Sequence, residues 1–112
     1  MEKTIFEKII DRELPSTVVF ENERLIAIKD IAPIAPVHLL IITKKRIPSI
    51  QEISFEDLSL LPEIVSLAQQ LAKEHHIADG YRLLTNCGSP AGQTVFHLHF
   101  HLIGGRPLGP MA

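Results

Sequence analysis

The stretch 97-HLHFHLIGG-105 carries a histidine at every second position and then ends on two glycines. Side chains alternate across an extended strand, so His97, His99 and His101 share one face. Leu98, Phe100 and Leu102 share the other. The apolar set anchors the strand in a core, which leaves the histidine set facing a cleft or solvent. The pattern predicts a strand over Val95–Ile103, with Gly104-Gly105 letting the backbone turn at the rim of that cleft.

Outward from this strand, the loop 87-CGSPAGQT-94 precedes it and 81-YRLLTN-86 reads as a further strand, entered by a turn at Asp79-Gly80. The main helix is predicted from about Leu61 to His76, with Ile64, Leu67, Ala68 and Leu71 on its inward stripe. Pro62 marks a break or restart near its beginning, and Ser54 resembles an N-cap with Glu56 and Asp57 behind it. His75 and His76 suit the negative end of the helix dipole. Further upstream, 37-VHLLIIT-43 is an apolar strand containing His38. The Pro-containing segment 30-DIAPIAP-36 is irregular. Thr17–Glu21 and Leu25–Lys29 are strands joined at Asn22-Glu23-Arg24. Residues Thr4 to Glu13 form an amphipathic helix with Ile5, Phe6, Ile9 and Ile10 on one stripe, stopped by Pro15. The order helix, strands, helix, strands implies an α+β domain with a largely antiparallel sheet.

At 112 residues, 1–112 is one domain, and 46% hydrophobic residues suffice for its core. Eleven basic against 13 acidic residues give a formal charge of −2, which offers no electrostatic case for nucleic acid or a membrane surface. The single cysteine, Cys87, permits no intramolecular disulfide. With no signal-like or membrane-spanning run, the cytoplasm is the expected compartment. Phosphate-loop, dinucleotide and G-x-S-x-G motifs are all absent from the sequence, and so is a basic, aromatic-studded sheet for RNA.

Three readings of the histidine run compete. It could be a tolerant polar strand face. It could bind a metal, since alternate residues of a strand lie roughly 6.6 Å apart and two imidazoles can converge on one ion. No Cys pair or Glu stands beside the run to complete that shell. Or it could act on phosphate, one imidazole attacking while another stabilises charge. For the third reading the loop supplies donors: Gly88, Gly92 and Gln93-Thr94 could present backbone N–H groups in a concave nest, with the Thr94 hydroxyl added. His38 by itself reads as a satisfied core histidine, and Cys87 as a small loop residue.

The run 97-HLHFHL-102 resembles the histidine triad pattern. Together with 5-IFEKII-10, 30-DIAPIAPVHLLII-42 and 86-NCGSPAGQTVFHLHFHLIGGR-106 it is similar to the Hint branch, the histidine triad nucleotide-binding proteins, over residues 3–107. The resemblance implies a five-stranded antiparallel sheet with a short N-terminal helix and one main helix, paired as a homodimer through that helix and a strand edge. It implies binding of purine nucleoside monophosphates and hydrolysis of nucleoside phosphoramidates through a nucleotidyl-histidine intermediate, without cofactor or metal. His99 would then be the nucleophile, and His97 and His101 would orient it and contact phosphate. His38 would support proton transfer to the leaving amine. Asp30 would accept from the ribose hydroxyls, while Ile5, Phe6, Ile9, Ile28 and Ile31 would line the purine pocket. Asn86, Gly92, Gln93, Thr94 and Val95 would surround phosphate and ribose. Two departures bear on the leaving group: Thr94 stands where relatives often carry serine, and the sequence ends at 109-GPMA-112 without an aromatic tail. The zinc-binding cysteine pair of some bacterial relatives is also missing from 4-TIFEKII-10. A non-catalytic nucleotide sensor and a zinc hydrolase are the rival readings.

Overall fold

The computed structural model describes residues 2–112. Helix α1 (Ile5–Ile10) is opened by Thr4, whose hydroxyl accepts from the Glu7 N–H while the Glu7 carboxylate accepts from the Thr4 N–H. This reciprocal cap satisfies two donors that a helix start leaves free. The helix is shorter than its apolar stripe predicted. Asp11 caps it and Arg12 adopts a left-handed φ of 62°, so the turn is broken before Pro15 is reached.

Strands β1 (Val18–Glu21) and β2 (Leu25–Lys29) form a hairpin. The Asn22 side chain pins it by accepting from the Arg24 and Leu25 N–H groups at 2.9 and 2.8 Å. Strand β3 (Val37–Thr43) lies against β2. Helix α2 (Leu60–Glu74) follows, then β4 (Tyr81–Leu84) and β5 (His99–Gly104). The sheet order is β1-β2-β3-β5-β4 and every pairing is antiparallel. Pro62 is the third residue of α2 and interrupts nothing, because a first-turn N–H has no partner within the helix. Ser54 caps the short turn Glu56–Ser59 rather than α2 itself.

Strands β2 and β3 are apolar almost throughout because both sheet faces are covered. Leu25, Ala27, Leu39, Ile41, Leu98 and Leu102 pack with Ile64, Leu67, Ala68 and Leu71 of α2. On the opposite face Ile26, Ile28, Leu40 and Ile42 pack with Phe6 and Ile9 of α1. Alternation therefore sends Leu102 toward α2 and His101 toward the side of α1.

The last strand begins at His99, four residues later than predicted. Residues 95–98 cross the end of the sheet instead, where the Leu98 N–H bonds to the Ile47 carbonyl. At the other end, a Cβ on Gly104 would lie 3.0 Å from the Gly80 carbonyl oxygen. Gly105 has a φ of 101°, and a Cβ there would lie 2.9 Å from Pro36 Cβ. The glycine pair thus combines close approach with left-handed backbone. Gly105→Ala is expected to cost about 1–2 kcal/mol from its conformation alone, read as a lower urea midpoint at unchanged slope.

Candidate active site

A cleft of about 440 Å³ opens on the α1 side of the sheet. Ile5, Phe6, Ile9, Ile28, Asp30, Ile31, Thr94, Val95, His99 and His101 line it, as the resemblance implied for those positions. Leu14, Pro15, Ser16, Lys29 and Leu40 complete the wall. Those five were not singled out from the sequence. For Leu40 a signal existed: it alternates with His38 along β3 and pairs with His101 across the ladder.

The three triad histidines occupy different environments. His97 is completely buried, not in the cleft, because it precedes β5 and turns its ring inward. Its Nε2 lies 2.6 Å from the Thr43 carbonyl and its Nδ1 lies 2.7 Å from the Thr4 hydroxyl. A carbonyl only accepts, so Nε2 carries the proton of a neutral ring and Nδ1 accepts from Thr4. Burial lowers the pKa of His97 and keeps that ring neutral.

His99 lines the cleft, and its Nδ1 donates to the His97 carbonyl at 2.7 Å. The same argument places the proton on Nδ1 and leaves a lone pair on Nε2. Burial lowers its pKa, opposed by the His97 carbonyl and the Asp30 charge. The Phe6 ring stands edge-on to His99 at 4.8 Å between centroids and fixes the plane of the imidazole.

His101 has the opposite polarity. The Ile34 N–H donates to His38 Nδ1 at 3.2 Å, so a neutral His38 holds its proton on Nε2. That Nε2–H donates to His101 Nδ1 at 2.9 Å, which leaves the His101 proton on its own Nε2. Burial, with His99 and His38 beside it, pushes the His101 pKa down to about 4. The two cleft-lining imidazoles thus differ at the same atom: His99 Nε2 is a lone pair, and His101 Nε2 is a donor.

Asp30 accepts from the Ala32 N–H through Oδ1 at 2.8 Å, and its Oδ2 lies 3.3 Å from His38 Nε2. Each carboxylate oxygen keeps accepting capacity. Asp30, His38 and His101 together offer ligand atoms within 4.8 Å of one another.

The loop before the triad differs from the expected nest. Gly88 N–H is taken by the Gln93 side chain, Gly92 N–H by the Ser89 carbonyl, and Gln93 N–H by the Gly88 carbonyl. The Gln93 side chain is buried and also donates to the Pro48 and Val95 carbonyls, so it braces the loop from inside. Gly92 adopts a left-handed φ of 95°, the conformation its position requires. Asn86 is half-buried just beyond β4 and does not line the cleft. What remains are the Thr94 and Val95 N–H groups, which bond to nothing among the described residues, and the Thr94 hydroxyl. The donors for an anion are thus shifted by one or two residues along the loop.

No helix among the described residues is long and apolar enough to cross a membrane. The family model described as HIT domain matches residues 11–108. A HIT-like protein of Chlamydia pneumoniae is 55% identical over 97% of this chain and 99% of its own length. A purine nucleoside phosphoramidase of Escherichia coli K12 is 47% identical over 98% of this chain and 93% of its own. The solved structure of a HIT family hydrolase from Clostridium thermocellum superposes with a TM-score of 0.94 at 55% identity, covering 98% of this chain and 96% of that one. With its five-stranded antiparallel sheet, one main helix and one short helix, the chain belongs to the HIT domain family.

Proposed function

We propose that this protein hydrolyses purine nucleoside 5′-phosphoramidates through a nucleotidyl-histidine intermediate on His99. The observation that carries this reading is the opposed protonation of two neighbouring imidazoles on one cleft wall. A lone pair on His99 Nε2 suits attack on phosphorus, and a proton on His101 Nε2 suits the departing amine. The P–N bond breaks as the N–P bond to His99 forms, and the amine leaves with a proton drawn from His101. His38 Nε2–H supports His101 from behind. Water then attacks the nucleotidyl-histidine, returns a proton to His101, and releases nucleoside monophosphate with His99 restored.

The rest of the cleft fits such a substrate. Thr94 and Val95 N–H groups and the Thr94 hydroxyl suit phosphate oxygens, which gain charge in the transition state. Asp30 suits the ribose hydroxyls. Phe6, Ile9 and Ile28 form an aliphatic and aromatic slot for a purine, with weak discrimination between bases. His97 orients His99 through its carbonyl. The E. coli relative named a purine nucleoside phosphoramidase supports the substrate class. We place the homodimer at α2 and at the edge of β4, which pairs on one side only among the described residues.

No metal or cofactor enters this scheme. A cation on Asp30, His38 and His101 would need a lone pair at His38 Nε2, which moves the His38 proton onto Nδ1 against the Ile34 N–H. The decisive experiment is incubation with a fluorogenic adenosine phosphoramidate in the presence of chelator. Release of the amine well above background is expected. Tight binding of adenosine monophosphate without release would favour a nucleotide sensor, and one tightly held zinc per chain required for turnover would favour a metal hydrolase.

The pH dependence has a definite sign. Attack needs an unprotonated His99 Nε2, and burial holds the His99 pKa below its ordinary 6.5. The active form is therefore fully present at neutral pH and is lost as pH falls through the depressed pKa. The acid limb of kcat/KM is expected below pH 6.5, with the further protonation of His101 near 4 steepening it. A midpoint at or above 6.5 would contradict the assignment.

A further inference from the structure

We propose that Thr4 is a positioning residue for the histidine triad, its hydroxyl locking His97 so that the seating of α1 and the orientation of His99 are set together. The proposal rests on His99 being the nucleophile and extends that reading to a residue outside the cleft.

Thr4 Oγ1 performs two tasks. It accepts from the Glu7 N–H at 3.0 Å, as the N-cap of α1, and it lies 2.7 Å from His97 Nδ1. Because His97 Nε2 must donate to the Thr43 carbonyl at 2.6 Å, Nδ1 has only a lone pair to offer. The hydroxyl proton of Thr4 therefore goes to His97. The imidazole is fixed at both nitrogens, to the start of α1 and to the end of β3, and it is completely buried. The carbonyl of the same residue takes the His99 Nδ1–H at 2.7 Å. A ring that cannot rotate holds its own backbone, and that backbone sets the tautomer and plane of His99. Phe6, two residues after Thr4, closes the arrangement by standing edge-on to both rings, 5.8 Å from His97 and 4.8 Å from His99. Glu7 adds a brace, since its carboxylate also accepts from Arg46 at 3.1 Å.

The cap and the lock can be separated by chemistry. Serine keeps both. Aspartate keeps the cap, since its carboxylate accepts from the Glu7 N–H, but it has no proton to give His97. Valine keeps the shape and loses both. Each variant is tested for kcat and KM on the adenosine phosphoramidate, for affinity to adenosine monophosphate, and for imidazole nitrogen shifts by long-range proton–nitrogen NMR.

Thr4→Ser is expected to stay within about threefold of the parent, while Thr4→Val and Thr4→Asp lose about tenfold or more in kcat. Monophosphate affinity should change less than kcat in both. In Thr4→Asp, His97 should show a protonated or altered ring at neutral pH although the helix cap is retained. Normal kcat with unaltered His97 and His99 nitrogen shifts in Thr4→Asp would overturn the lock. If the parent protein turned nothing over, the catalytic reading would fail separately, and the nitrogen shifts of His97 and His99 would still decide whether Thr4 sets them.

Discussion

His99→Ala is expected to lower kcat on the phosphoramidate by about 10⁴-fold or more, the scale seen when a covalent nucleophile is removed. Affinity for adenosine monophosphate should stay within about threefold, because most of the binding surface survives. The apolar walls from Phe6, Ile9 and Ile28 are independent of His99, and so are the Thr94 and Val95 donors. The one lost packing contact is the edge of Phe6. Rapid-quench analysis should find no nucleotide attached to the variant, whereas the parent carries it on an imidazole. Turnover within tenfold of the parent would remove His99 from the nucleophile's role.

His101→Ala should cost less, about 10²- to 10³-fold in kcat, as expected for a lost proton donor. The deficit should depend on the leaving group. An alkylamine cannot depart without a proton, so the loss is largest there. A phenolic leaving group departs as a stable anion, so the deficit should shrink to about tenfold or less. Equal losses on both substrates would show that His101 binds phosphate without donating. The variant should remain folded, since His38 Nε2, deprived of His101, still has Asp30 Oδ2 at 3.3 Å. Thermal denaturation compared with the parent checks this.

Much of the architecture follows from local pattern. The alternation in β5 separates Phe100 and Leu102, which enter the α2 core, from His99 and His101, which enter the cleft. The inward stripe of α2 at Ile64, Leu67, Ala68 and Leu71 is buried as its spacing implied. Element ends were less legible, because they depend on single backbone angles. Arg12 and His76 both adopt left-handed φ and end their helices early, and neither is a glycine that would announce it.

The site divides in the same way. That three histidines alternate, and that a glycine-containing loop precedes them, is present in 86-NCGSPAGQTVFHLHFHLIGGR-106 without any folding. Which of them does what is not. His97 departs from the strand's alternation because its ring finds Thr43, 54 residues away, and Thr4, 93 residues away. His101 is a donor at Nε2 only because His38, 63 residues distant, donates to its other nitrogen. Gly92 and Gln93 lose their N–H groups to the loop itself, which transfers the anion-facing role to Thr94 and Val95. Side-chain periodicity is a property of the local backbone and can be read along the chain. A proton's position on an imidazole is set by the atom opposite each nitrogen, and for His97 and His101 those atoms arrive from distant parts of the chain only when the sheet and α1 close around them.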